Sequence, residues 1–133
     1  MPIEYRIDHD WELVRTRCTG QVTLQEVIEH FDVLERDPDR PKRLHVLLQL
    51  TGMLTLPRSD ELQAVAGRMK RLTTLRFGVC AILVDRDIVY GIARMFAAFA
   101  ESRFEEVQVF KSAEAAETWL AECIANDTGE GPQ

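Results

Sequence analysis

The sequence predicts an α/β domain with a five-stranded, mixed and mostly parallel sheet and four helices, in the order β-β-α-β-α-β-α-β-α. Three observations predict it. Residues 3–8 and 11–17 alternate apolar and polar around a short polar break, the pattern of a β-hairpin. Residues 77–84 (FGVCAILV) are almost continuously apolar between Arg76 and Asp85, as in a strand covered on both faces. The short strand pattern Val107-Gln108-Val109-Phe110 runs straight into a helical one that includes Trp119 and Leu120. Strands that alternate with helices pair in parallel through right-handed crossovers, so only the opening hairpin is antiparallel.

Ile3, Tyr5 and Ile7 form one face of the first strand, and Gly20 ends the second. Thr23 and Glu26 have capping-box spacing, with Val22 and Val27 placed as the hydrophobic staple. Leu24, Val27, Ile28, Phe31 and Leu34 follow as one apolar stripe, and the helix stops before Asp37-Pro38. Residues 44–50 (LHVLLQL) read as a buried strand closed by Thr51-Gly52. Pro57 and Ser59-Asp60-Glu61 open a second helix, whose stripe is Leu62, Val65, Ala66, Met69 and Leu72. Asp87 is placed to cap the third helix, where Arg94 is the only charge from residue 88 to residue 100. Ile88, Ile92, Met95, Phe96 and Phe99 suffice for its core stripe. The rest of its circumference, including Val89, Tyr90, Ala93, Ala97 and Ala100, is expected to meet a second subunit or a ligand. Gly91 is read as a close-packing position in that helix. Ser112 caps the last helix, with Ala115, Ala116, Trp119, Leu120 and Cys123 inward. Residues 1–125 are expected to form one domain and residues 126–133 a flexible tail.

The composition narrows the function classes. With 133 residues and 46% hydrophobic content, the chain suits a single globular core. A net charge of −6 without a Lys/Arg cluster argues against nucleic acid. The three cysteines, Cys18, Cys80 and Cys123, fit neither a disulfide framework nor a metal site. No apolar run reaches membrane-span length and the N-terminus has no apolar signal core, so a cytoplasmic location is expected.

Chemistry-bearing patterns are sparse. His9, His30 and His45 lie on different elements without ligand spacing and read as surface or rim histidines, so no metal is expected. Glycine-rich phosphate loops are absent, and no cofactor is expected. No nucleophile–base–orienter set can be assembled, so no catalytic residue is assigned and a non-enzymatic protein is expected. Tyr90 and Arg94 share a helix face and, with Met95 and Phe99, are the candidate partner- or ligand-binding residues.

Gly20 before the capped helix, the strand end Gln49-Leu50-Thr51-Gly52, the strand Ala81-Ile82-Leu83-Val84 and the closing strand with its Trp119-Leu120 helix carry a resemblance. The chain resembles uncharacterised bacterial SpoIIAA-like proteins, whose fold the STAS (anti-sigma-factor antagonist) and Sec14-type domains share. In the antagonists a serine after an aspartate, at the start of the helix following the third strand, is phosphorylated. Ser59 is the matching candidate, but Arg58 precedes it, and Gln49 stands where the family's strand-end aspartate belongs. The resemblance implies regulation by protein–protein contact, with a homodimer or a protein partner using the third helix and the loop of residues 54–59. The alternative it implies is a carrier or sensor of a small apolar or lipid-like ligand, as in Sec14-type domains.

Overall fold

The computed structural model describes residues 3–52, 58–71, 75–101 and 103–130. Its elements follow the expected order: β1 (Ile3–Asp8), β2 (Leu13–Cys18), α1 (Leu24–Arg36), β3 (Arg43–Gln49), α2 (Ser59–Lys70), β4 (Arg76–Leu83), α3 (Asp87–Ala100), β5 (Glu106–Phe110) and α4 (Ala113–Glu130). The strands lie side by side in chain order. Only β1 and β2 are antiparallel, and the other three pairings are parallel.

That order fixes where the helices go. Successive right-handed crossovers between neighbouring strands put α1, α2 and α3 on one face of the sheet, and α4 is left to cover the other. The core is divided accordingly. Val14, Leu34, Leu44, Met69, Cys80, Ile82 and Val89 belong to the three-helix side. Leu13, Leu47, Val79, Ala81, Leu83, Ala116 and Leu120 belong to the α4 side. Alternation in β2, and in β4 from Val79 onward, produces this split, because successive side chains in a strand point to opposite faces. Every residue of β4 after Arg76 is buried, as the apolar run requires.

One irregularity interrupts the sheet. Leu44 pairs with Phe77 and Val46 with Cys80, so His45 stands opposite both Gly78 and Val79. The imidazole fills the space at the bulge: Val79 N–H donates to His45 Nδ1 at 3.1 Å. A Cβ on Gly78 would lie 2.4 Å from that same nitrogen, so only glycine fits there. His45 is 4% exposed, a buried structural residue and not a rim histidine as the sequence suggested.

The caps differ in accuracy. The α1 capping box forms as expected, with Glu26 N–H donating to Thr23 Oγ1 at 3.2 Å and Thr23 N–H donating to Glu26 Oε1 at 2.9 Å. Ser112 caps α4 through the Ala115 amide. At α2 the cap position falls on Arg58, which has no acceptor, and the Glu61 carboxylate takes the Arg58 amide instead at 2.9 Å. Ser59 is therefore the first residue inside the helix and does not cap it. Asp87 likewise starts α3 and pairs with Lys111. Helix α4 runs to Glu130.

Helix α3 reverses the expected stripe. Its buried residues are Val89, Ala93, Ala97 and Ala100, while Ile88 is 57% and Met95 41% exposed. Small side chains let the α3 backbone lie close to α2 and β5, and the bulky ones are turned to the rim of that contact. Gly91 meets nothing within 4 Å, so it does not serve close packing.

Candidate functional site

The two sides of the sheet do not pack equally well. Beneath α1, α2 and α3, near the β1–β3 end, lies a cavity of about 150 Å³. Its floor is sheet: Ile3, Thr16, Cys18, Leu48 and Leu50. Thr16 pairs with Tyr5 on one side and Leu48 on the other, so the floor runs across three strands. The roof is the apolar stripe of α1, chiefly Leu24, Val27 and Phe31, and the far wall comes from α2 and α3.

The sequence accounts for the gap locally. Along the inward face of β2 the side chains are Val14, Thr16 and Cys18, two of them small, under a roof that includes a phenylalanine. Helix α1 is also tied at its C-terminal part. Leu34 is its only buried residue, Tyr5 Oη donates to Asp37 Oδ2 at 2.6 Å, and Arg68 of α2 pairs with Asp32. Phe31 and Leu48 are half-buried because they border this cavity. Trp119 is half-buried on the α4 side, where its ring is tilted against Phe110 with ring centres 5.6 Å apart.

Two ionisable groups of the cavity are held neutral. Burial pushes the Cys18 thiol up to about 12 and the His30 imidazole down to about 4. Burial also raises Tyr5, whose ring meets His30 edge-on, to about 12, with its hydrogen bond to Asp37 acting in the same direction. At neutral pH the site thus offers a thiol and a neutral imidazole, with Glu61 the one acidic side chain among the described residues of its wall.

The residues singled out in the sequence lie elsewhere. Tyr90 and Arg94 share a polar groove with Glu101 and Gln108 between α3 and β5. The Lys111 ammonium sits 5.3 Å from the centre of the Tyr90 ring. Met95 is exposed and Phe99 half-buried on a different side of α3, so these four do not converge on one site. Ser59 is exposed at the start of α2. The remainder of its loop, residues 53–57, and Leu72 of the α2 stripe lie outside the described residues. His30, Thr16 and Cys18 were not singled out as a group. The available signal was the run of small residues in β2 facing a one-sided apolar helix.

A mixed sheet in chain order, three helices on one face and a closing helix on the other define a SpoIIAA-like α/β domain. The SpoIIAA-like family model matches residues 13–121, and the chain belongs to that family. Among solved structures it is similar to an uncharacterised protein with a SpoIIAA-like fold from Shewanella loihica, at 16% identity and a TM-score of 0.60. That match covers 89% of this chain and 91% of the other, and it shows the shared fold. None of the curated proteins compared with the chain matches it.

Proposed function

We propose that this SpoIIAA-like domain binds a small apolar molecule in the cavity beneath α1, acting as a carrier or sensor and not as an enzyme. The observation that carries this reading is the cavity itself, about 150 Å³ and walled almost wholly by aliphatic and aromatic side chains. Native interiors are close-packed, so a void of this size lined by apolar groups favours an apolar occupant. A binding role fits the neutral wall better than catalysis. The protonated Cys18 thiol is a poor nucleophile, and burial alone accounts for the His30 shift, with no carboxylate among the described residues orienting the ring as a base.

A second reading is protein contact through α3, and a separate observation favours it. Ile88 and Met95 expose large apolar side chains on one helix, where a homodimer or another protein could cover them. Native mass spectrometry of protein purified from its own cells tests both readings. A retained small molecule at one per chain is the expected result. A mass equal to the bare chain, monomeric at high concentration, contradicts both readings.

A further inference from the structure

Polar groups in an apolar cavity are informative, because each costs free energy there unless something hydrogen-bonds to it. The floor holds one such group in Thr16, which is only 3% exposed. The roof holds another in His30, whose ring stands edge-on to Tyr5 with centres 5.4 Å apart and is tilted against Phe31 at 5.6 Å. Among the described residues, neither the Thr16 hydroxyl nor the His30 imidazole has a hydrogen-bond partner. Two polar side chains therefore reach one apolar space from opposite walls.

We propose, building on the cavity reading above, that the cavity selects a neutral, phenol-like molecule: a benzene-sized apolar body with one hydroxyl, held between His30 and Thr16. The size follows from the volume, since an apolar cavity of about 150 Å³ accommodates benzene. The hydroxyl follows from the donors and acceptors. A neutral imidazole has one nitrogen that accepts and one that donates, and a threonine hydroxyl does both. A ligand hydroxyl can donate to one side chain and accept from the other, so each side chain gains a partner inside the cavity.

Charge selects against the alternatives. Among the described residues, the titratable groups lining the cavity are Cys18 on β2, His30 on α1 and Glu61 on α2, with Tyr5 on β1 packed against His30, while α3 contributes Val89, Ile92, Ala93 and Phe96. A carboxylate ligand would find no cation, because burial holds His30 neutral far below its ordinary value. A cationic ligand would have only Glu61, whose carboxylate is already engaged by the Arg58 amide.

The test is calorimetric titration of the full chain at pH 7.5 with toluene, p-cresol and benzoate. A wholly apolar cavity favours toluene, since burying an unpaired hydroxyl is costly. The expected result is that p-cresol binds at least as tightly as toluene, while benzoate does not bind measurably. In His30→Leu and Thr16→Val, p-cresol should lose about tenfold in affinity relative to toluene, the effect of one lost hydrogen bond. Toluene binding in the same variants confirms that the cavity is still folded. Preference for toluene in the wild type, benzoate binding as tight as p-cresol, or an unchanged ratio in both variants overturns the hydroxyl recognition. Toluene binding would in those cases preserve the cavity reading, whereas no binding by any probe overturns both.

Discussion

The two faces of one sheet differ in how completely they are filled. On the α4 face, Leu13, Leu47, Ala81, Ala116 and Leu120 are all at or below 1% exposure. On the opposite face Cys80 and Ile82 of β4 are at or below 2% exposure, but toward β1 the packing loosens, and Val27, Phe31, Val46 and Leu48 stay half-buried. The difference lies in side-chain size. Under α3 the helix residues are small and the sheet residues large, so the layers close. Beneath α1 two sheet residues are small and the helix is tied at its other end, so they do not. A protein can thus concentrate stability on one face and keep room for a ligand on the other.

Mutations should separate the faces. The largest effect is expected for Leu120→Ala, which removes a fully buried side chain from the filled face and should cost about 3 kcal/mol in chemical denaturation. Leu48→Ala on the loose face should cost only about 1 kcal/mol, because that side chain already borders empty space. Equal costs would mean that the faces are equally packed.

Loss of the α1 cap comes next. Thr23→Ala removes the Oγ1 that accepts from the Glu26 amide and should cost about 1 kcal/mol. An unchanged denaturation midpoint would show that this cap contributes nothing to the roof of the cavity.

A smaller effect is expected from pH, and its sign is fixed by the buried imidazole. His30 titrates near 4 in the fold and near its ordinary 6.5 when unfolded, so between these values the unfolded chain binds the extra proton. Stability should therefore fall as the pH drops from 6.5 to 4. His30→Gln should flatten that slope, with denaturation midpoints across the window as the readout. Below that window a different loss begins, from carboxylates held low by their partners, Asp37 by the Tyr5 hydroxyl and Asp87 by Lys111. A wild-type midpoint constant from 6.5 to 4 would place His30 in water and remove it from the cavity wall.

How legible this was in the sequence depended on the kind of signal. The strands and the capped first helix carry local patterns, such as the unbroken apolarity of residues 77–83 and the Thr23–Glu26 spacing, and these formed as read. The buried face of α3 was misread because periodicity marks several apolar arcs on a helix this hydrophobic and does not rank them. Close packing then selected the small arc of Ala93, Ala97 and Ala100. The cavity was not legible because its volume depends on residues distant in the chain, Thr16 and Cys18 opposite Phe31 and Phe96, and on where α1 is tied. His45 shows the same limit, since its burial depends on a bulge at Gly78 that only strand pairing reveals.

The most direct test of the central claim is to map where a small apolar molecule enters. Amide and methyl chemical shifts should be followed as the protein is saturated with toluene. Shifts are expected at Leu24, Val27, Phe31, Leu48 and Phe96, around the cavity, with Leu47, Ala116 and Leu120 on the filled face unmoved. Shifts centred on α4, or none at saturation, would contradict the account.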